Sequence, residues 1–455
     1  MPAKLCAPID VQIEVTQQCT QRCSHCYNFW WPIDTANKLK RLNYDSIKHI
    51  VKELKINQIP AITITGGEPF IARQTTMELV TRAREIGTHI SINSNFSLVD
   101  DDVIKFLVKH KNITMLASLL SDQPSEHERI TGSPVGTFNK VIRNIKKTIA
   151  SGISVGINMV IRKDNMTAIT GLAKLAKKVG ARSFCATKVL PNINNPDNSF
   201  LLSNDEIITY LQNLVTIEET LNIPVDILGC YPKCLLMGTK FYSRFYHRIC
   251  VAGCTTATIG ADGEVRPCSH MSLSYGNIFN EPFKTIWNKM SAWGTGKYIP
   301  SGCQSCILKD SCRGGCRVNN LKADLNTMDE NAIPEHMLNI TKEDMRPVKQ
   351  DYKISIPEEL TVHPHTKFRD EAFGSVIYRD DYFTILLINK SATDFLKYAL
   401  NNNITLTFTM FLKHSGAAMQ ADEQKVKNLY KKLYRKKILI KQKSEGGDNN
   451  GSPTK

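Results

Sequence analysis

The chain has 455 residues, enough for two or three domains with substantial cores, and its 42% apolar and 22% charged residues are ordinary for a water-facing globular protein. Lys and Arg outnumber Asp and Glu by 58 to 43, a net +15 that favours acidic partners or gives a solvated basic surface. No run of about 18 apolar residues occurs, so no membrane span is predicted, and Asp10 and Glu14 fall where a secretory signal needs an apolar core; the expected location is the cytoplasm.

Residues 1 to about 220 alternate short apolar runs with helical patterns, the rhythm of a parallel α/β sheet. The predicted strands are 11–15, 61–65, 89–93, 113–118, 153–161 and 184–189, and helices are predicted over Tyr44–Leu54, Thr75–Ile86 and Asp205–Leu221. Between the last strand and that last helix, residues 191–196 are turn-rich. The first strand leads into Cys-Thr-Gln-Arg-Cys-Ser-His-Cys, which puts Cys19, Cys23 and Cys26 on one loop. Three soft sulfur ligands suit a cubane iron–sulfur cluster with one open iron, whereas structural zinc takes a closed set of four and usually pairs CxxC units.

The second strand leads into Gly66-Gly67-Glu68-Pro69. Two glycines let the backbone approach a ligand closely, and Glu68 offers an anionic acceptor to an ammonium group. The spacing Cys19-x3-Cys23-x2-Cys26, with His25 before the last cysteine, together with this turn, resembles the radical S-adenosylmethionine (SAM) superfamily. The resemblance implies a partial (β/α)6 barrel with its chemistry at the C-terminal strand ends. It also implies a [4Fe-4S] cluster on the cysteine trio whose open iron chelates SAM, and an electron from the cluster that cleaves SAM to a 5′-deoxyadenosyl radical. Gly66, Gly67, Glu68 and Pro69 would bind the SAM amino group. Asn93 and Asn95 at the third strand end, Ser118 at the fourth and Asn158 in the fifth strand are further SAM candidates or ordinary turn formers. The family often has Ser-Leu-Asp-Gly after the fourth strand, and here Ser118-Leu-Leu-Ser-Asp122 stands instead.

Cys230 and Cys234 follow in Leu-Gly-Cys-Tyr-Pro-Lys-Cys, as extra ligands, a hydrogen-atom donor or small buried residues; Cys6 and Cys185 are expected in the core. Cys250, Cys254, Cys268, Cys303, Cys306, Cys312 and Cys316 form a second dense group, with Gly263 five residues before Cys268 and the run Cys303-x2-Cys306-x5-Cys312-x3-Cys316. Tight groups of this kind read as ligands kept reduced rather than as disulfides. A zinc ribbon fits the uneven spacing poorly. The pattern resembles the SPASM extension of radical SAM enzymes that act on peptides and proteins. The resemblance implies one auxiliary [4Fe-4S] cluster on Cys250, Cys254, Cys268 and Cys316, and a second begun by Cys303, Cys306 and Cys312. The usual closing cysteine is missing, which leaves an open iron, a ligand such as Asp329 or His336, or an incomplete cluster. Sulfatase-maturing members place an aspartate where Ser269 stands, and a serine lacks the basicity for that proton transfer without a partner base.

After a polar connector, Gly374–Tyr378 and Tyr382–Ile388 read as a hairpin around Arg379-Asp-Asp381, followed by helices near 391–400, 406–414 and 422–437 and a short strand 438–440; Ser391 and Asp422 suit helix N-caps. A hairpin followed by three helices resembles the RiPP recognition element, a small winged-helix module that binds leader peptides of ribosomally made precursors. The basic last helix would alternatively lie in a DNA groove. The expected domains are a radical SAM barrel over 1–225, a bridging and SPASM region over 226–345, an α+β winged-helix domain over 346–442 and a disordered tail over 443–455. The expected function is a radical SAM peptide maturase that cross-links a precursor peptide, with flavodoxin or ferredoxin as reductant and neither membrane nor nucleic acid as partner. An epimerase, a sulfatase-maturase-like protein modifier and an iron–sulfur nucleic-acid-binding regulator are the alternatives.

Overall fold

A computed structural model describes residues 4–30, 39–191, 197, 199–319, 332, 355–416 and 423–441. The chain divides into two compact units, 1–349 and 350–455.

The first unit is built on a nine-stranded sheet in the order β7-β6-β5-β4-β3-β2-β1-β8-β9. Its strands are β1 (Asp10–Glu14), β2 (Ala61–Thr65), β3 (His89–Ser94), β4 (Ile113–Ser118), β5 (Ser154–Ile161), β6 (Ser183–Lys188), β7 (Val225–Ile227), β8 (Thr256–Ile259) and β9 (Val265–Arg266). β1 to β7 pair in parallel, β8 runs parallel to β1 on its other side, and β9 returns antiparallel to β8. The six predicted strands are present, each within one residue of its expected bounds. The sheet continues beyond them at both edges, because β7, β8 and β9 are two to four residues long and too short to show a period.

Register aligns the side chains in rows. Val11, Ile62, Ile90 and Ile113 share one row, and Ile92, Met115 and Val155 another, all buried. The alternate row carries Gln12, Thr63 and Ser91, small or polar and half-buried. This period-two division leaves one face apolar for helices and the other polar. Helix Tyr44–Ile56 buries Ile47, Ile50 and Leu54 and is capped by the Asn43 side chain, which accepts from Ser46 N. Helix Asn204–Leu221 starts in a capping box formed by Ser203 and Glu206.

The second unit has a three-stranded antiparallel sheet, β11 (Thr366–Glu371), β12 (Gly374–Arg379) and β13 (Ile385–Asn389), and a two-stranded pair, β10 (Thr361–Val362) with β14 (Leu439–Ile440). Helices Lys390–Asn401, Phe408–Gly416 and Glu423–Arg435 complete a core around Leu360, Ile377, Ile388, Leu396, Phe411 and Leu433. The predicted hairpin is β12–β13. β11 escapes a sequence reading because Thr-Lys-Phe-Arg-Asp-Glu is the charged pattern of an edge strand. Helix Glu423–Arg435 buries Val426, Tyr430 and Leu433 and turns Lys425, Lys427 and Lys432 to solvent. The expected tail over 443–455, the candidate ligands Asp329 and His336, and most of the turn-rich 191–196 lie outside the described residues.

Candidate functional site

The C-terminal ends of β1, β2, β3 and β5 bring the candidate residues together. After β1, the cysteine loop folds on its own polar groups: Gln21 N donates to Cys19 Sγ (3.4 Å), Cys23 Sγ donates to Gln21 Oε1 (3.7 Å), and Cys26 N donates to Cys23 O (3.1 Å). Burial pushes the Cys19 thiol up to about 12 and Cys26 to about 11, and raises Cys23 strongly. Glu68 and the Cys26 sulfur add to the rise at Cys19, and a bound cation would favour the thiolate form of such buried sulfurs. Among the described residues, the His, Cys, Asp and Glu ligand atoms that gather in threes within 4.8 Å of one another are those of His365, Asp380 and Asp381. Three thiols with no fourth beside them in the loop suit a cluster with one open iron better than the closed four-ligand set of structural zinc.

The turn after β2 docks on this loop through backbone. Gly67 N donates to Thr16 O and Glu68 N to Gln18 O, both at 2.7 Å, and Asn28 Nδ2 donates to Gly66 O (3.3 Å). Gly66 sits at φ +137°, and a Cβ on Gly67 would stand 1.9 Å from the Gln18 carbonyl oxygen. The glycines thus serve the approach of two chain segments before any ligand arrives. Glu68 is fully buried, and its carboxylate accepts from Phe70 N (3.2 Å), Ser94 Oγ (2.9 Å) and Asn95 N (2.8 Å). Burial raises it to about 7 against those three hydrogen bonds. Its position makes it a tie between the β2 turn and the end of β3, beside its sequence reading as an acceptor. Pro69 opens a short 3-10 turn, Pro69–Ala72.

Asn95 completes the junction, since its Nδ2 donates to Thr20 Oγ1 (2.9 Å) and approaches Cys19 Sγ (3.8 Å). Asn93 is half-buried on β3, opposite Leu116. Ser118 lies at the end of β4 in register with Asn158 of β5, whose Oδ1 accepts from Thr187 Oγ1 (2.7 Å). Asn93, Asn95 and Ser118 therefore lie at neighbouring strand ends, and Asn158 lies three residues inside the end of β5.

Four charged residues of this site were not singled out by sequence reasoning. Arg162, one residue past β5 and buried, donates to Ser24 Oγ, stands 3.3 Å from His25 Nδ1 and forms a forked pair with Asp164 (2.8 and 3.0 Å). Burial, reinforced by this guanidinium, lowers His25 to about 3, so its ring is neutral at physiological pH. Arg266 of β9 pairs with Glu14 of β1, both almost wholly buried, and lies over the rings of Phe29 (4.7 Å) and Trp30 (5.7 Å). An arginine just past a predicted strand with an aspartate two residues on was a readable signal for Arg162; the Glu14–Arg266 pair spans most of the first unit and left none.

The second dense group also converges. The Cys230 thiol is in contact with Cys250 and Cys316, and its pairing with Cys250 pulls the Cys250 thiol below the usual range against burial, with the Ala252 amide, Arg317 and Arg313 adding to it. Cys254 Sγ accepts from Arg313 Nη1 (3.0 Å). Burial pushes Cys268 up to about 12, with Cys250 and Cys316 contributing, and its sulfur is 3.6 Å from His270 Nδ1. Cys230, Cys250, Cys254, Cys268 and Cys316 thus share one neighbourhood. In the other half, Lys233 N donates to Cys312 Sγ (3.2 Å), Leu308 N to Cys306 Sγ (3.4 Å) and Cys306 N to Cys303 O (3.3 Å). None of the fourteen cysteines is in a disulfide. Cys185 is buried and Cys6 half-buried. The two cysteine regions meet where Tyr27 stacks on His270, with ring centroids 4.1 Å apart.

A parallel α/β sheet with a buried cysteine trio and a diglycine turn joined at its C-terminal edge is the architecture of an α/β enzyme whose loop can hold a metal centre. Residues 13–176 match the Radical SAM superfamily and residues 250–307 match SPASM, an iron–sulfur cluster-binding domain. The protein is a radical SAM enzyme with a SPASM domain, and its cofactors are SAM and [4Fe-4S] clusters. It is similar to the antilisterial bacteriocin subtilosin biosynthesis protein AlbA of Bacillus subtilis (24% identical, over 70% of this chain and 68% of that one). Mycofactocin maturase MftC of Mycobacterium tuberculosis is 25% identical over 68% of this chain and 78% of its own, and an AdoMet-dependent heme synthase of Methanosarcina barkeri 22% identical over 68% and 91%. The fold resembles Streptococcus suis SuiB bound to S-adenosylmethionine, with a TM-score of 0.60 and 20% identity over 72% of this chain and 78% of that one. Among the described residues no helix is long and apolar enough to cross a membrane.

Proposed function

We propose that the protein is a cytoplasmic peptide maturase that takes a ribosomally made precursor and introduces an intrapeptide cross-link, thioether or carbon–carbon. In this reading Cys19, Cys23 and Cys26 hold the reactive cluster, and Gly66, Gly67, Glu68, Pro69, Asn93, Asn95, Ser118 and Asn158 surround SAM. Cys250, Cys254, Cys268 and Cys316 hold one auxiliary cluster, and Cys303, Cys306 and Cys312 begin another. Bound SAM and the reduced cluster supply a 5′-deoxyadenosyl radical for hydrogen abstraction. The chain's own residues prepare that chemistry: Gln21 N–H and Asn95 Nδ2 face the Cys19 sulfur and moderate its charge, and Arg162 fixes the loop that carries Ser24 and His25.

The observation that carries the peptide reading is the second unit. It is a separate small body with a sheet edge, β13, rimmed by exposed Tyr382, Phe383 (61% exposed) and Leu387 (47%). The opposite edge, β11, exposes Lys367 and Asp370 instead. An extended leader adds as a strand to an uncovered edge, where backbone bonds give affinity and apolar pockets give selectivity. The named activities of AlbA and MftC, and a structure of SuiB bound to its precursor peptide SuiA, support the same direction. The domain division is then a barrel to about 225, a bridging and SPASM region to about 345 and a leader-binding domain to about 442.

The test is co-expression with a short open reading frame adjacent to the gene, followed by mass spectrometry of the peptide. Loss of about two mass units marks the cross-link. Unchanged mass with deuterium incorporation from solvent marks epimerisation instead, and an unaltered peptide in the presence of SAM turnover refutes peptide maturation.

A further inference from the structure

The second auxiliary set has three cysteines, and no cysteine follows Cys316 to close it. The geometry points to a ligand on the other side of the SPASM region: we propose that Cys234 is the fourth ligand of the cluster begun by Cys303, Cys306 and Cys312. The inference rests on the auxiliary-cluster reading above and extends it to a residue that reading leaves unassigned.

The placement starts from the segment Cys230-Tyr-Pro-Lys-Cys234. Cys230 is in contact with Cys250 and Cys316 of the first auxiliary set. Three residues on, Lys233 N donates to Cys312 Sγ at 3.2 Å, so the Cα of Cys234 stands no more than about 8 Å from that sulfur. A backbone N–H aimed at a cysteine sulfur is the usual outer contact of a cluster thiolate. The segment therefore runs from one thiol set to the other, with Cys230 at the first and Cys234 next to the residue whose amide reaches the second.

The segment is also held in place. Tyr231 is buried with its hydroxyl on that of Tyr210, and the ammonium of Lys188 lies 5.8 Å from its ring. Leu235 and Leu236, which follow Cys234 in the chain, are buried. Lys233 is buried with its ammonium 5.2 Å from the Tyr246 ring, which leaves a positive charge beside sulfurs that become anionic on binding iron. Pro232 is the N-cap of the short helix Lys233–Leu236, and its ring fixes φ at the residue before Lys233.

The test uses the full chain carrying Cys19→Ala, Cys23→Ala and Cys26→Ala, so that only auxiliary iron remains. After anaerobic reconstitution, iron, acid-labile sulfide and electron paramagnetic resonance are measured with and without Cys234→Ala, with the isosteric Cys234→Ser beside it. The parent is expected to bind about eight irons as two cubanes. Cys234→Ala should lose about four, or lose about one and show the signal of an oxidised three-iron cluster, and Cys234→Ser should keep the iron with a shifted spectrum. Unchanged iron and spectrum in both variants overturns the assignment, as does loss of that cluster on Asp329→Ala or His336→Ala alone. A parent that binds only about four irons refutes the two-cluster reading itself, a different failure from the first two.

Discussion

Replacing Arg266 by Leu isolates a buried charge at the junction of the two cysteine regions. Glu14 and Arg266 are 1% and 2% exposed, and the guanidinium also donates to Met271 O (3.0 Å) while lying 4.7 Å from the Phe29 ring. Burial holds the Glu14 carboxyl up at about 7 even beside this partner. Removing the arginine strands a carboxylate with no water to replace it, a loss of about 3–5 kcal/mol. That is a large part of a typical total of about 5–15 kcal/mol. Because the folded pKa of Glu14 lies above its unfolded value, its contribution is fully present below about 4.5 and is lost as pH rises through 7. The penalty of Arg266→Leu should therefore be larger at pH 8 than at pH 5, where the stranded carboxyl protonates. Trp30, Trp31, Trp287 and Trp293 all lie in residues 1–349, so tryptophan fluorescence during urea unfolding reports on that unit alone. The double variant Glu14→Gln/Arg266→Met should recover most of the loss. An unchanged midpoint in Arg266→Leu, or a double variant no more stable than the single one, refutes the reasoning.

Gly67→Ala should separate the turn from the cysteine loop, because its Cβ would overlap the Gln18 carbonyl; a stability loss of at least about 1–3 kcal/mol and a fall in SAM binding by anaerobic equilibrium dialysis are expected. Arg162→Ala removes the fork that holds Ser24, His25 and Asp164, and iron retention on the first cluster should drop while auxiliary iron stays, as read by Mössbauer spectroscopy. Leu387→Asp should weaken leader-peptide binding about tenfold or more, measured by fluorescence anisotropy, with SAM cleavage in the absence of peptide unchanged. Cys185→Ala, at a small core position on β6, should leave the iron content of the holoenzyme as it was.

The parallel core was legible because β-branched runs such as Ala61–Thr65 and Ser154–Ile161 lie between turn residues and strong helix starts. The cysteine loop and the diglycine turn were legible because each is a local pattern. What escaped depended on partners far away in sequence. Glu14 looks like any strand-end carboxylate until Arg266, 252 residues later, comes to rest on it. Cys230 and Cys234 read equally well as core residues until the fold carries them between two thiol groups that begin at Cys250 and at Cys303. The dual use of Glu68, buried and tied to Ser94 and Asn95, likewise follows from β3 lying next to β2.

The pairing of β8 with β1 has a practical consequence for anyone wishing to divide this enzyme. A fragment ending near residue 249 would keep every element that matches the superfamily's catalytic half. It would also strip one flank from the strand that carries the reactive loop, exposing a row of amide and carbonyl groups ready to recruit a second molecule. Such a truncation should come out of cells as aggregate, however faithfully its boundary follows the family match.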